Sequence, residues 1–293
     1  MHPTALRFVS VLLLSSTLPG CLPADTRSPP GKVVLRVDSD DAVRSGIPAD
    51  ATADGWSIHY ERFLVVFGQG ELAGDGCDAY VESDYARIFD LLRPGPQRGN
   101  VLYGLGRCDL RFSISTPAWD TLRGEGVSET DELALRTPGT DSQADGLGVS
   151  VWVEGRADRL DESKRFSWPF RRIINYQHCQ VETPGGIEGE LSLTGQETVD
   201  IDVLMRGTTL FRENATDSAT VRFDPFRDAD AVYGDANDVV TLAELERTPL
   251  TGQSAKTLAD LVYLELLPEI VRYRGAGRCE FEATSTPDDW GGP

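Results

Sequence analysis

Histidine, methionine and cysteine are scarce in this chain, with 3 His, 2 Met and 5 Cys among 293 residues. No CxxC pair occurs, and His59 and His178 are the only histidines past the first few positions, which disfavours a zinc site of the usual Cys and His ligands. G-x-S-x-G, S-x-x-K, H-E-x-x-H and phosphate-cradling glycine loops are also missing, so the common local signatures of hydrolases, metallopeptidases and nucleotide enzymes are absent. His59 lies in a core-strand pattern and His178 adjoins Cys179, which favours structural roles for both. Positive charge is in deficit as well. The 28 Lys and Arg against 47 Asp and Glu leave a net charge of −19, a surface that repels nucleic acid and anionic headgroups and attracts divalent cations or basic partners. No apolar run reaches the roughly 20 residues a membrane-spanning helix requires.

What is present begins at the N-terminus. Arg7 is the single charge in residues 1–20, followed by the apolar run Phe8 to Leu14 and a small-residue exit ending in Leu18-Pro19-Gly20-Cys21. This is the layout of a secretory signal peptide. L-P-G-C resembles the lipobox of bacterial lipoproteins. The resemblance implies cleavage before Cys21, acylation of its thiol with chains such as palmitate, and stable membrane anchoring through two or three chains. Leu22 in place of Asp implies the outer membrane under the enterobacterial sorting rule. Removing Arg7 with the signal takes the charge from −19 to −20.

With Cys21 assigned to lipid, Cys77, Cys108, Cys179 and Cys279 form an even set, and an exported chain is expected to join them in two disulfides. Three connectivities are open. Cys77 with Cys108 and Cys179 with Cys279 is favoured, because the first two flank a local insertion and the last two sit beside strands of the second half.

The organisation expected is a signal peptide at 1–20, a lipidated tether at 21–31, a β-rich half at 32–136 with a helix at 83–92, a linker at 137–147, a second β-rich half at 148–285 with a helix at 257–272, and a loose tail at 286–293. The fold class is mainly β, sandwich-like, with two or three short helices. Trp56 to Phe67 is the best core strand, placing Ile58, Tyr60, Leu64 and Val66 on one face and Phe63, Val65 and Phe67 on the other. Ser83 as cap, with Tyr85, Ile88, Phe89 and Leu92 at helical spacing, predicts the first helix. Leu258, Leu261, Val262 and Leu266 predict the second, which Pro268 ends. Further strands are expected at 32–37, 101–103, 108–115, 148–157, 165–170, 173–176, 179–182, 189–193, 199–204, 220–223 and 279–284. Glycine turns before Cys108 and Cys279, in GLGRC and GAGRC, form a weak internal echo.

One acidic segment invites a metal. Asp228, Asp230, Asp235, Asn237, Thr241 and Glu244 resemble the ligands of an EF-hand or dockerin calcium loop over 233–245, with Glu244 as the twelfth position. The first position then falls on Tyr233, so Asp228 or Asp230 has to fold back, and Pro225 argues against an entering helix. The alternative is a solvated acidic turn that caps a helix at Thr241. Asp38, Asp40 and Asp41 make a second acidic cluster, best read as a solvated turn.

The strand DGWSIHYERFLVVF, the YGLGRC turn and VVTLAEL together resemble acidic predicted lipoproteins of Gram-negative bacteria, a resemblance that carries no activity. The expected function is therefore that of a lipid-anchored envelope protein, a binding or structural module, with or without calcium as a stabiliser. An accessory lipoprotein of a transport or assembly complex and an envelope hydrolase using a carboxylate pair are the competing classes. Partners beyond the membrane are not named by the sequence.

Overall fold

The computed structural model describes residues 28–81, 85–139, 147–234, 237–252 and 254–284. Cys21, Ser83, Asp235 and the tail from 285 lie outside the described residues. In chain order the elements begin with β1 (Gly31–Ser39), α1 (Asp41–Ser45), β2 (Ser57–Val81), β3 (Arg87–Asp90), β4 (Gln97–Ile114), β5 (Leu122–Arg123) and α2 (Glu129–Arg136). There follow β6 (Val151–Arg159), β7 (Glu162–Phe170), β8 (Ile173–Thr183), β9 (Gly186–Glu188), β10 (Leu191–Leu193) and β11 (Thr198–Met205). The last part contains α3 (Asp224–Tyr233), β12 (Val239–Thr241), α4 (Leu242–Glu246), α5 (Leu258–Asp260), β13 (Val271–Tyr273) and β14 (Arg278–Thr284).

The mainly β architecture expected from the sequence is the one adopted. Its strands form one curled sheet whose central path runs β12-β7-β6-β2-β4-β1-β11-β13. The long strands of the two sequence halves interleave: β2 pairs with β6, and β1 pairs in parallel with β11. A large core fills the inside of the curl, with Trp56, Tyr60, Phe63, Phe166, Trp168, Phe211, Phe223 and Phe226 in mutual ring contact or close to it. Burial of these rings adds to that of the surrounding aliphatic side chains, each fully buried ring contributing about 2 to 3 kcal/mol by removal from water.

β2 explains how one strand serves two cores. Its pairing with β6 shifts register between Tyr60 and Arg62, so Glu61 is an inserted residue and the inward phase changes. Ile58 and Tyr60 therefore join Phe63, Val65 and Phe67 in the main core. Leu64 and Val66 turn to the other side, into a smaller cluster with Ile88, Val127, Leu135 and Val149. The strict alternation expected along this strand is corrected accordingly. Arg62, on the outer side, pairs with Glu154 at 2.6 Å and Asp131 at 3.1 Å and lies over the Trp152 ring.

The helix expected at 83–92 is not formed where the chain is described; residues 87–90 are the strand β3, paired with Leu64 to Phe67. The reason is the direction of burial. Neighbouring Ile88 and Phe89 enter opposite clusters, which a strand allows and a helix does not. In exchange, the weakly patterned stretch before residue 137 contains α2, started by a capping box between Ser128 and Asp131 and packed through buried Leu135. The strand expected at 220–223 is reduced to a single bridge between Arg212 and Val221.

Two pairs of expected strands are each one strand. Residues 104–107 run straight through β4 without turning, and Gly106 at φ +96° is needed there because a Cβ would come within 2.0 Å of the Gly76 carbonyl oxygen. Residues 173–183 are continuous through His178, whose φ is +48°. The GLGRC and GAGRC segments are therefore different structures: only the second follows a tight turn, closed by the bridge between Tyr273 and Gly277. The helix expected from Leu258 exists as α5, continued by a wider π-turn segment through Leu266 and a short 3-10 turn at Pro268–Ile270. Leu258, Leu261, Val262 and Leu266 are all buried, as their spacing implies.

Candidate functional site

The acidic segment is flanked by helices on both sides. Pro225 occupies the first turn of α3, where a missing N–H costs nothing, so the entering helix that the proline spoke against is formed after all. Asp54 caps that helix, accepting from the backbone N–H groups of Phe223 at 2.6 Å and Asp224 at 2.7 Å. At the exit, the Glu244 carboxylate accepts from the Thr241 backbone N–H at 2.9 Å, and Glu244 is buried in that role.

Of the other candidate ligands, Asp228, Asp230 and Asn237 are bound to groups of the protein itself. Asp228 pairs with Arg227 at 2.8 Å. Asn237 accepts from the Val239 N–H at 2.9 Å. Buried Asp230 receives the Lys164 ammonium at 2.7 Å, and the same ammonium reaches Asp238 at 2.6 Å. Lys164 of β7 thus joins Asp230 of α3 to Asp238 in the loop before β12. Hydrogen bonds from Lys164 hold the Asp238 carboxyl below its ordinary range. Asp235 lies outside the described residues.

The first acidic cluster is similarly engaged. Arg44 meets Asp38 at 2.8 Å and Asp41 at 3.2 Å, while Asp40 caps α1 by accepting from Val43 N–H at 3.1 Å and also accepts from Gly207 N–H at 3.1 Å. Burial pushes the Asp40 carboxyl up, against the lowering effect of those two N–H groups and of Arg206 and Arg44.

The four cysteines form the favoured pairs, Cys77 with Cys108 and Cys179 with Cys279. Each bridge joins strands that already neighbour one another: Cys77 lies opposite Gly106 in the β2 and β4 ladder, and Cys279 sits at the register shift between β14 and β8.

A cluster that sequence reasoning missed lies beside the second bridge. Asp217 is met by four arginines: its Oδ1 by Arg206 at 3.2 Å, Arg212 at 3.1 Å and Arg272 at 2.7 Å, and its Oδ2 by Arg278 at 2.7 Å. The only other carboxylate pairing with these arginines among the described residues is Glu269, 3.3 Å from Arg272 and 3.5 Å from Arg278. Each arginine arrives on a different piece of backbone. Arg206 follows β11 and donates its backbone N–H to the Ile270 carbonyl at 2.8 Å, Arg212 follows the 3-10 turn Gly207–Phe211, Arg272 is the middle of β13 and Arg278 opens β14. Arg272 is 1% exposed and Arg212 7% exposed, and the Nε of each is buried without a hydrogen-bond partner. Burial alone would raise the Asp217 carboxyl, but hydrogen bonds from Arg278, Arg272 and Arg212 hold it far below the usual carboxylate range. The Arg206 guanidinium is pushed down by burial and then by the like charge of Arg272.

Two cavities border this cluster. One of about 650 Å³ is lined by Asp217 and Arg278 together with Gln180, Glu182, Gly277 and Glu280. Another of about 550 Å³ is lined by Arg212 and Arg222 over an apolar floor that includes Phe211, Phe226, Leu258 and Leu261. His178 lines the first of these, with its Nδ1 3.7 Å from Asp109, and His59 is exposed on β2. Among the described residues no helix is long and apolar enough to cross a membrane, and no group of three or more His, Cys, Asp and Glu is placed to hold a metal ion.

Compared with known proteins, the chain matches no protein-family model, no curated protein and no solved structure.

Proposed function

We propose that this chain is an exported lipoprotein, held to the outer membrane through Cys21, whose β domain is a binding or structural module of the cell envelope. The observation that carries this reading is the pair of disulfides, which uses all four cysteines other than Cys21. Structural disulfides persist in oxidising compartments and are rare in the cytosol. The thiol left over is the one in the L-P-G-C sequence, behind a short apolar signal. Residues 22–31, rich in small residues and proline, supply the spacing between lipid and domain. The acidic surface suits a soluble module beside, rather than in, a membrane.

The experiment is fractionation of cells producing the wild type and Cys21→Ser. The wild type is expected in the membrane fraction and the variant in the soluble one. A variant that stays with membranes would remove the basis for lipid anchoring.

A further inference from the structure

We propose that the four-arginine cluster around Asp217 is a binding site for a small phosphate-type oxoanion, supplied as inorganic phosphate or as a phosphomonoester. Charge balance points there first. Arg206, Arg212, Arg272 and Arg278 converge on Asp217, with Glu269 as the second carboxylate, so four cations face two anions in a chain whose net charge is −19. An excess of arginine is easily dispersed in so acidic a protein, yet here the guanidinium groups are held together by strand and turn backbone.

Donor count points the same way. A guanidinium has five N–H donors. Arg206 makes one bond to Asp217, and the Nε groups of Arg212 and Arg272 are buried without a partner. An unsatisfied buried donor is unfavourable, more so when it is charged, and an anion that accepts from it recovers that cost. Shape selects the kind of anion. The donors come from four pieces of backbone, and Asp217 meets them with two oxygens only, its Oδ1 shared by three arginines. A tetrahedral dianion has acceptors facing several directions and pairs with arginine forks bidentately.

Access is provided by the cavity that Asp217 and Arg278 line, and Arg212 reaches the lining of the other. Glu182 and Glu280 line the first cavity too, so an entering anion passes two carboxylates and binds only where the arginines outweigh them. Asp217 is the resident anion that holds the arginines together until the ligand competes for them. The site does not depend on the lipid anchor, so the two readings fail separately.

The test is calorimetric titration and thermal melting of the detergent-solubilised full-length protein at constant ionic strength. Inorganic phosphate and glycerol phosphate are the probes, with sodium chloride and acetate as comparators. Saturable binding of either phosphate probe, with a raised melting temperature, is expected; which of the two binds tighter identifies the source of the ligand. Arg206→Gln together with Arg278→Gln, both partly exposed, should weaken binding at least tenfold. If that pair fails to fold, Arg206→Gln alone should weaken it several-fold. Asp217→Asn removes the competing carboxylate, so it should lower stability without phosphate while tightening phosphate binding, a combination that a purely structural network does not produce. The proposal is overturned by no saturable binding, by equal responses to chloride or acetate, by undiminished binding in the arginine variants, or by weaker binding in Asp217→Asn.

Discussion

Asp40 does two jobs with one carboxylate, capping α1 and accepting from Gly207, and it does them half-buried. Burial raises its pKa above that of an unfolded Asp. The folded state therefore holds the proton more tightly than the unfolded one, and the protein loses stability as pH rises through the window from the ordinary Asp value to the raised one. Asn caps a helix about as well as Asp and carries no charge. Asp40→Asn should therefore match the wild type at acid pH and be more stable than it above that window. Urea melts from about pH 3 to 7 would show this, and a variant less stable at the neutral end would contradict it. Asp217 has the opposite sign: its pKa is depressed, so its contribution is complete above the ordinary Asp value and is lost progressively as pH falls from there to the depressed one. Legibility at this scale divides by sequence distance. The caps of α1, α2 and α4 lie within three residues of what they cap and can be read directly, whereas Asp54 caps α3 from 169 residues away and cannot. The arginines at 206, 212, 272 and 278 have no common spacing with Asp217, and only the pairing of β11 with β13 and the turn before β14 brings them together.

Among the elements, the strands were legible wherever alternation or a continuous apolar run left one reading. Residues 83–92 were not, because Ile88, Phe89 and Leu92 fit helical spacing and a strand buried on both sides equally well. What decided between them was the second cluster under α2, which the local sequence does not announce. The insertion at Glu61 was hidden for a related reason: a bulge is a property of two strands, and the chain alone shows only one. The cysteine pairing is favoured in the sequence because Cys77 and Cys108 flank an insertion; the pairs are the expected ones, but what brings each together is a strand ladder, β2 with β4 and β8 with β14. The bridges close loops of 31 and 100 residues. Chain-entropy arguments then make the longer one worth about 1 kcal/mol more. Replacing Cys179 and Cys279 together by Ala should lower unfolding free energy by roughly 2 to 5 kcal/mol, and by more than replacing Cys77 and Cys108. Denaturant titration of the two double variants checks the order, and a larger loss from the Cys77 and Cys108 pair would contradict it.

For the molecule as a whole, one curled sheet carries a predominantly acidic surface with a cationic cluster set into it beside the Cys179 to Cys279 bridge. The proposed function ties the cysteines together: one for lipid and four for two bridges. That division is tested most directly by the intact mass of the protein extracted from membranes without reduction. The expected mass is that of a chain that begins at Cys21, carries acyl groups there, and lacks the four hydrogens given up by two disulfides. A mass that retains residues 1–20, or that shows an unmodified Cys21, would contradict it.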